Sequence, residues 1–307
     1  EVERKRRLAA VALALTIEDE EDLSYKMARR LFREVDGYYL YALFSEESVR
    51  SALNYKPVPG DVFIVSYPKC GTTWLQNIVY NILHGRGAEC IKHMPKPGAI
   101  KTHMPFRFQP FSADAKYIYI CRNPYDCCVS FFHHTKNIYA YQFQDGTFDE
   151  FFELFIEGKP DFGDYFDHLL SWYEHRGDPN VFFLTYEDLR KDTRPWMLKI
   201  ADFIGEEYGR KLKADQRLLE DILKRTSFET MKESNAIINE TLMDLKDLSE
   251  DEKPVWLKHS AKTMGIEGTN QPMTGDFIRK GAVGDWKNYF SADQIKRLKE
   301  RIELKTR

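Results

Sequence analysis

The chain of 307 residues is short of cysteine, of long apolar runs and of any excess of one charge, and each shortage closes off a class of protein. Its five cysteines, Cys70, Cys90, Cys121, Cys127 and Cys128, are odd in number, fall in one stretch and include no C-x-x-C pair. That usage fits neither a disulfide framework nor a zinc finger and favours a reducing, cytoplasmic setting. Cys127 and Cys128 are neighbours in a helical pattern, where consecutive side chains diverge, so they read as small buried apolar groups. No apolar run reaches the roughly 20 residues that a membrane-crossing helix needs. Leu8 to Ile17, behind the charged Glu1 to Arg7, has the order of a signal peptide, but it is only about ten residues long and lacks a cleavage pattern. No membrane partner is expected. Lys and Arg total 45 against 48 Asp and Glu, a formal net charge of −3, so the molecule as a whole offers no field for nucleic acid. Any anion site must be local. Linkers, internal repeats and low-complexity tracts are missing too, which leaves one domain over 1–307, with 1–20 as a flexible start and the polar stretch 232–276 as a lid.

What is present is most pronounced at residues 61–74. A β-branched run, Val62 to Val65, breaks at Ser66-Tyr67-Pro68-Lys69-Cys70-Gly71 and passes into a helical pattern from Thr72 to Leu83. Unsatisfied N–H groups at such a helix start, together with the helix dipole and Lys69, make a cradle for phosphate or sulfate. The ATPase signature, glycine four residues ahead of Gly-Lys-Ser/Thr, is not met, because Lys69 stands two residues before Gly71. Apolar runs recur at Val62–Val65, Tyr117–Cys121 and Val181–Thr185, each followed by a turn and helical spacing. This predicts an α/β fold, a central parallel sheet with helices on both faces and ligands at the carboxyl ends of its strands. Lys69, Arg122 and Tyr186 all lie just past such ends. The aromatics of 141–175 (Phe148, Phe151, Phe152, Phe155, Phe162, Tyr165, Phe166, Trp172) read mostly as core.

A second cationic segment, Arg279-Lys280-Gly281-Ala282-Val283-Gly284-Asp285-Trp286-Lys287-Asn288, lies far downstream. Between the two stand Lys101-Thr102-His103, Arg122-Asn123-Pro124-Tyr125-Asp126 with Ser130, Tyr186-Glu187-Asp188-Leu189 and Thr226-Ser227-Phe228-Glu229-Thr230-Met231. In this order, over roughly residues 38 to 291, the chain resembles the cytosolic sulfotransferases.

The resemblance implies transfer of a sulfuryl group from 3′-phosphoadenylyl sulfate (PAPS) to a hydroxyl or amine of a small molecule, leaving adenosine 3′,5′-bisphosphate (PAP). No metal is implied, because a sulfuryl group carries less charge than a phosphoryl group and cationic side chains can suffice. Lys69 is the expected electrostatic catalyst, His103 the general base and Lys101 an assistant on the same face of an extended segment. Donor contacts are expected from Lys69, Cys70, Gly71, Thr72, Thr73, Arg122, Ser130, Arg279, Lys280 and Gly281, and an adenine wall from Trp74, Tyr186, Thr226, Ser227, Phe228 and Met231. Tyr186 is expected to hydrogen-bond a ring nitrogen. Cys70 stands where the family carries serine, which removes a hydroxyl contact and predicts weaker donor binding. Phe131 and His134 match acceptor-facing positions, and a polar His134 would favour an acceptor with an amine or an extra hydroxyl. The family's dimer motif is degraded here, with Lys287, Ser291-Ala292 and a charge-reversed Lys296, so a monomer or a different dimer is expected. Three alternatives stay open: a small-molecule kinase, which would need ATP and Mg²⁺; a nucleotide-binding module without catalysis; and a membrane-anchored sulfotransferase.

Overall fold

The computed structural model describes residues 31–42, 44–85, 98–233, 249, 251 and 273–307. The expected flexible start, nearly all of the expected lid and Cys90 lie outside the described residues. The described chain begins with strands β1 (Phe32–Val35) and β2 (Tyr38–Tyr41), an antiparallel hairpin in which Val35 pairs with Tyr38. Asp36 and Gly37 turn it with φ of 53° and 79°. Two positive φ values match the right-handed twist of a two-residue hairpin, and an Asp-Gly pair supplies them at low cost. Helix α1 (Glu46–Leu53) follows, capped by Ser45.

The central sheet contains β3 (Val62–Val65), then, after helix α2 (Thr72–His84), β4 (Ala99–Thr102), β5 (Lys116–Cys121) and, further on, β6 (Val181–Thr185). Their order is β4-β3-β5-β6, all parallel. Three of the four are the strands the apolar runs predict. The fourth, β4, is a half-exposed edge strand without an apolar run, and the sequence marks it only as an extended segment at Lys101.

Between β5 and β6 lie α3 (Pro124–Asn137), α4 (Phe148–Glu157) and α5 (Tyr165–Tyr173). After β6 come α6 (Tyr186–Lys191), α7 (Thr193–Ile204), α8 (Glu206–Ala214), α9 (Gln216–Arg225) and, at the C-terminus, α10 (Ala292–Lys305).

Alternation along the strands explains why helices cover both faces. Val62, Ile64, Ile118 and Ile120 meet Leu75 and Ile78 of α2 and Ile200 of α7. Phe63, Val65, Tyr117 and Tyr119 point the other way, around Trp172 of α5. Each such side chain, when fully buried, contributes about 1.5–3 kcal/mol of transfer free energy. A third cluster is largely aromatic and includes Tyr67, Phe131, Phe151, Phe152, Phe155, Tyr165 and Phe166. The aromatic stretch is therefore mainly core, as its spacing predicts. Phe162 departs from it: its backbone has φ 68° and its ring faces a cavity. Cys127 and Cys128 are fully buried on α3.

Candidate active site

The chain leaves β3 through a turn in which Lys69 (φ 67°) and Gly71 (φ 101°) both have left-handed backbones. A non-glycine residue held in that region stores strain and marks a position fixed by its surroundings. Gly71 permits the turn for two reasons: its φ, and a Cβ that would meet Tyr186 Cδ2 at 2.8 Å. No side chain caps α2, so its first N–H groups face the turn without a side-chain acceptor. The Lys69 ammonium lies 3.3 Å from His134 Nδ1 and 4.1 Å from the centre of the Phe277 ring. Burial, then the charges of Lys101 and Arg122, push Lys69 down to about 7. Lys101 donates to Thr73 Oγ1 at 3.1 Å, joining the end of β4 to the start of α2.

His103 follows β4, whose parallel pairing with β3 brings it beside the same turn. Its Nδ1 is 2.8 Å from the Ser66 carbonyl oxygen. A carbonyl only accepts, so Nδ1 carries the proton and Nε2 keeps a free lone pair. Its own carbonyl accepts from Tyr38 Oη at 3.3 Å and His168 Nε2 at 3.2 Å, and His168 Nδ1 in turn accepts from Tyr119 Oη at 3.0 Å. Burial and the nearby Lys101 charge push His103 down to about 3, so the ring is neutral at physiological pH.

Arg122, just past β5, ties the two cationic segments together. Nη1 donates to the Lys69 carbonyl at 3.2 Å and Nη2 to the Ala282 carbonyl at 3.1 Å, while the guanidinium covers the Tyr186 ring at 4.5 Å. Its Nε is buried with no hydrogen-bond partner. The downstream segment is pinned by two carboxylates. Asp126, in the first turn of α3, accepts from the N–H groups of Gly284 (2.7 Å) and Trp286 (3.0 Å). Asp285 accepts from Arg279 at 2.6 Å, Lys280 at 2.9 Å and Asn288 at 2.9 Å. Burial alone would raise the Asp285 carboxyl, but hydrogen bonds from Lys280, Arg279 and Asn288 hold it well below the usual carboxylate range.

These groups open onto one cavity of about 1130 Å³ of atom-free space, mouth included. Its lining holds Lys69, Lys101, Arg122, Arg190, Arg279 and Lys280, and among the described residues no carboxylate. A protein with net charge −3 has gathered this positive charge in one place. Of the residues nominated from sequence, His103, Gly71, Thr72, Thr73, Trp74, Ser130, Phe131, His134, Tyr186, Phe228, Met231 and Gly281 also line it.

Three do not. Cys70 is buried with its Sγ 3.7 Å from Cys127 Sγ, and its N–H is 3.4 Å from the Tyr67 carbonyl. Exchanging serine for cysteine there acts on packing, not on the cavity wall. Thr226 returns its hydroxyl to Ile222 O at 2.8 Å, while its carbonyl accepts from Trp74 Nε1 at 2.9 Å. Ser227 caps the helical residues 228–233 through Thr230 N at 3.3 Å. The Tyr186 hydroxyl donates to Gly281 O at 3.1 Å. Its proton is thus committed, and toward a purine it can accept rather than donate.

Sequence reasoning passed over Tyr141, Phe162, Arg190 and Phe277, all in the lining. Arg190 was legible: it stands four residues after Tyr186 on α6, on the same face, and its Nε donates to Gly281 O at 2.9 Å. Phe277 lies two residues before Arg279 and could have been read with that segment.

Among the described residues no group of three or more His, Cys, Asp or Glu could hold a metal ion, and no helix is long and apolar enough to cross a membrane. A family model described as "Sulfotransferase domain" matches residues 59–93 and 85–307. The chain belongs to the sulfotransferase family. Among its relatives, sulfotransferase 1C2 of Oryctolagus cuniculus is 31% identical over 297 residues, 87% of this chain and 90% of that protein. Sulfotransferase 2B1 of Homo sapiens is 31% identical over 306 residues, 91% of this chain and 75% of the relative. In structure, the sulfotransferase is similar to mouse sulfotransferase SULT7A1 complexed with PAP (30% identity, TM-score 0.68, 90% of this chain and 94% of that one). It shares its fold with retinol dehydratase in complex with androsterone and PAP (22% identity, TM-score 0.68, 93% and 94%).

Proposed function

We propose that the enzyme transfers the sulfuryl group of PAPS to a hydroxyl or amine of a small acceptor such as a phenol, an alcohol or a catecholamine. The observation that carries this reading is Arg122, which joins the Lys69 turn to the Arg279–Ala282 segment in the wall of a cavity rich in cations and has a buried Nε without a hydrogen-bond partner. Donors outnumber acceptors there, the balance an adenosine bisphosphate moiety would reverse. Arg122, Ser130, Arg279, Lys280 and the Gly281 backbone would hold its 3′-phosphate. The uncapped start of α2 and Lys69 would hold its 5′ end, and Trp74, Tyr186 and Phe228 would flank the purine. A Cβ on Gly281 would meet Phe228 Cδ2 at 2.5 Å, so glycine keeps that ring close to the segment.

Bound there, the donor supplies SO₃ on a phosphate leaving group, chemistry for which positioning and charge stabilisation do most of the work. The Lys69 ammonium, with Lys101 beside it, offsets negative charge that develops at the leaving oxygen. His103 Nε2 takes the proton of the acceptor. Burial is the larger cause of the depressed His103 pKa, and the Lys101 and Lys69 charges that add to it would be neutralised by an anionic donor, which moves the imidazole part of the way back toward the range where it works as a base. Around the two histidines, Phe162 (5.1 Å from His103) and Phe131 and Tyr141 (each 6.1 Å from His134) form an apolar wall for the acceptor.

Transfer of labelled sulfate from PAPS to a panel of phenols, alcohols and catecholamines tests the reading. His103→Ala and Lys69→Ala should each lower turnover by about 10²–10³-fold. Undiminished transfer in both variants would remove the mechanism. Thermal stabilisation by ATP with Mg²⁺ but not by PAP would favour a kinase instead.

A further inference from the structure

We infer that His134 is a positioning residue for Lys69: its Nδ1 lone pair accepts from the ammonium and holds it at the junction of the turn and the cavity. The inference rests on the sulfotransferase reading only for its effect on turnover; the contact itself stands on geometry. Nζ and Nδ1 are 3.3 Å apart, across 65 residues of sequence, and the Phe277 ring closes over the same ammonium at 4.1 Å. An ammonium has protons and no lone pair, so His134 must accept, and its other nitrogen carries the ring proton.

No other charged or titratable group facing Lys69 plays this part. Lys101 on β4, Arg122 after β5 and Arg279 in the downstream segment repel it; Cys127 on α3 is tied by its Sγ to the Pro68 carbonyl at 3.4 Å. His103, on the turn after β4, donates from Nδ1 to Ser66, and the hydrogen bond of the Lys69 ammonium goes to His134 and not to the free Nε2 of His103. No ion pair of Lys69 with a carboxylate exists among the described residues. His134 is therefore the neutral acceptor that lets a cation stay in a crowd of cations, and burial together with the Lys69 charge keeps its own ring unprotonated. The strained left-handed backbone of Lys69 fixes where the side chain starts, and His134 fixes where it ends.

The test is a titration of Lys69 in the full-length chain labelled at lysine Cε, with the resonance assigned from Lys69→Arg and with neither donor nor acceptor added. His134→Phe removes the acceptor and should lower the Lys69 midpoint by about one unit, the size expected when a charged group loses one hydrogen bond. His134→Gln keeps an acceptor oxygen and should stay within about 0.3 unit of the native midpoint, against that same one-unit scale. His134→Leu serves in place of the phenylalanine if that variant does not fold. In steady-state transfer, the alkaline decline of kcat should move to lower pH by the same amount in His134→Phe and return in His134→Gln, with the donor KM little changed. A native midpoint in both apolar variants, or an equal drop in the glutamine variant, overturns the inference. If the midpoint moves as expected but no chain transfers sulfate, the inference stands and the sulfotransferase reading fails.

Discussion

Lys69 sits in the cavity with no carboxylate paired to it among the described residues, whereas Arg279 and Lys280 both lean on Asp285. The upstream turn fixes its cation by backbone strain, a parallel strand pair and a neutral histidine. The downstream segment fixes its cations with counter-charges, Asp285 on the side chains and Asp126 on the N–H groups. An unpaired buried ammonium is costly and responds strongly to any new negative charge, as a group that stabilises a transition state must. Cations already held by a carboxylate are arranged before a ligand comes, which suits recognition more than catalysis.

Substitutions can break this contrast, and the largest effects should come first. Lys69→Ala should lower kcat by about 10²–10³-fold with a smaller change in donor KM. Arg279→Ala should instead raise donor KM by about 10–100-fold, the worth of charge-assisted hydrogen bonds, with a smaller change in kcat. Steady-state kinetics of the two variants decides, and equal effects on the same constant would erase the distinction.

The next effect is in stability. Gly71→Ala should cost about 1–3 kcal/mol, because a left-handed backbone and the fixed Tyr186 ring both oppose it. Gly281→Ala, whose Cβ meets the Phe228 ring in the cavity wall, should cost less in stability and more in donor affinity. Denaturant unfolding and PAP titration separate the two.

The pH dependence sharpens the same point. Lys69 acts as the ammonium, the form present below its pKa, so kcat/KM for the donor should fall as pH rises through about 7. His103 acts as the neutral ring, present above about 3 in the chain without donor, so it should add no acid limb between pH 5 and 7 to that kcat/KM profile, which reports the free enzyme. In kcat, which reports the donor complex, its limb moves up toward the ordinary imidazole range. An acid limb in the kcat/KM profile that vanishes in His103→Gln would contradict this assignment. The smallest catalytic effect belongs to Cys70→Ser. Since Cys70 faces Cys127 and not the cavity, donor KM should change by less than about twofold, while burying a hydroxyl costs about 1–2 kcal/mol of stability.

Most of the fold was legible because β3, β5 and β6 are covered on both faces and so appear as continuous apolar runs. The edge strand β4 carries no such run, and the β1–β2 hairpin announces itself only through Asp36-Gly37, a two-residue signal. In the cavity, charge and glycine at strand ends pointed to Lys69, Gly71 and Arg122, and the glycine-spaced cationic segment downstream pointed to Arg279. Side-chain direction was the part that could not be read. Cys70 and Gly71 are adjacent, yet the cysteine turns into the aromatic core while the glycine borders the cavity. Phe162 belongs by composition to the core stripe, but its positive φ swings it toward His103. Nothing in sequence spacing tells that Lys69 would meet His134.

Calorimetric titration of PAP into the native chain and into Arg122→Ala tests the central claim most directly, since Arg122 joins both cationic segments. One PAP should bind per chain with an affinity that falls steeply with salt, and Arg122→Ala should weaken it by about 100-fold, more than loss of one ordinary hydrogen bond. Absence of binding to the native chain, or equal affinity in the variant, would contradict the account.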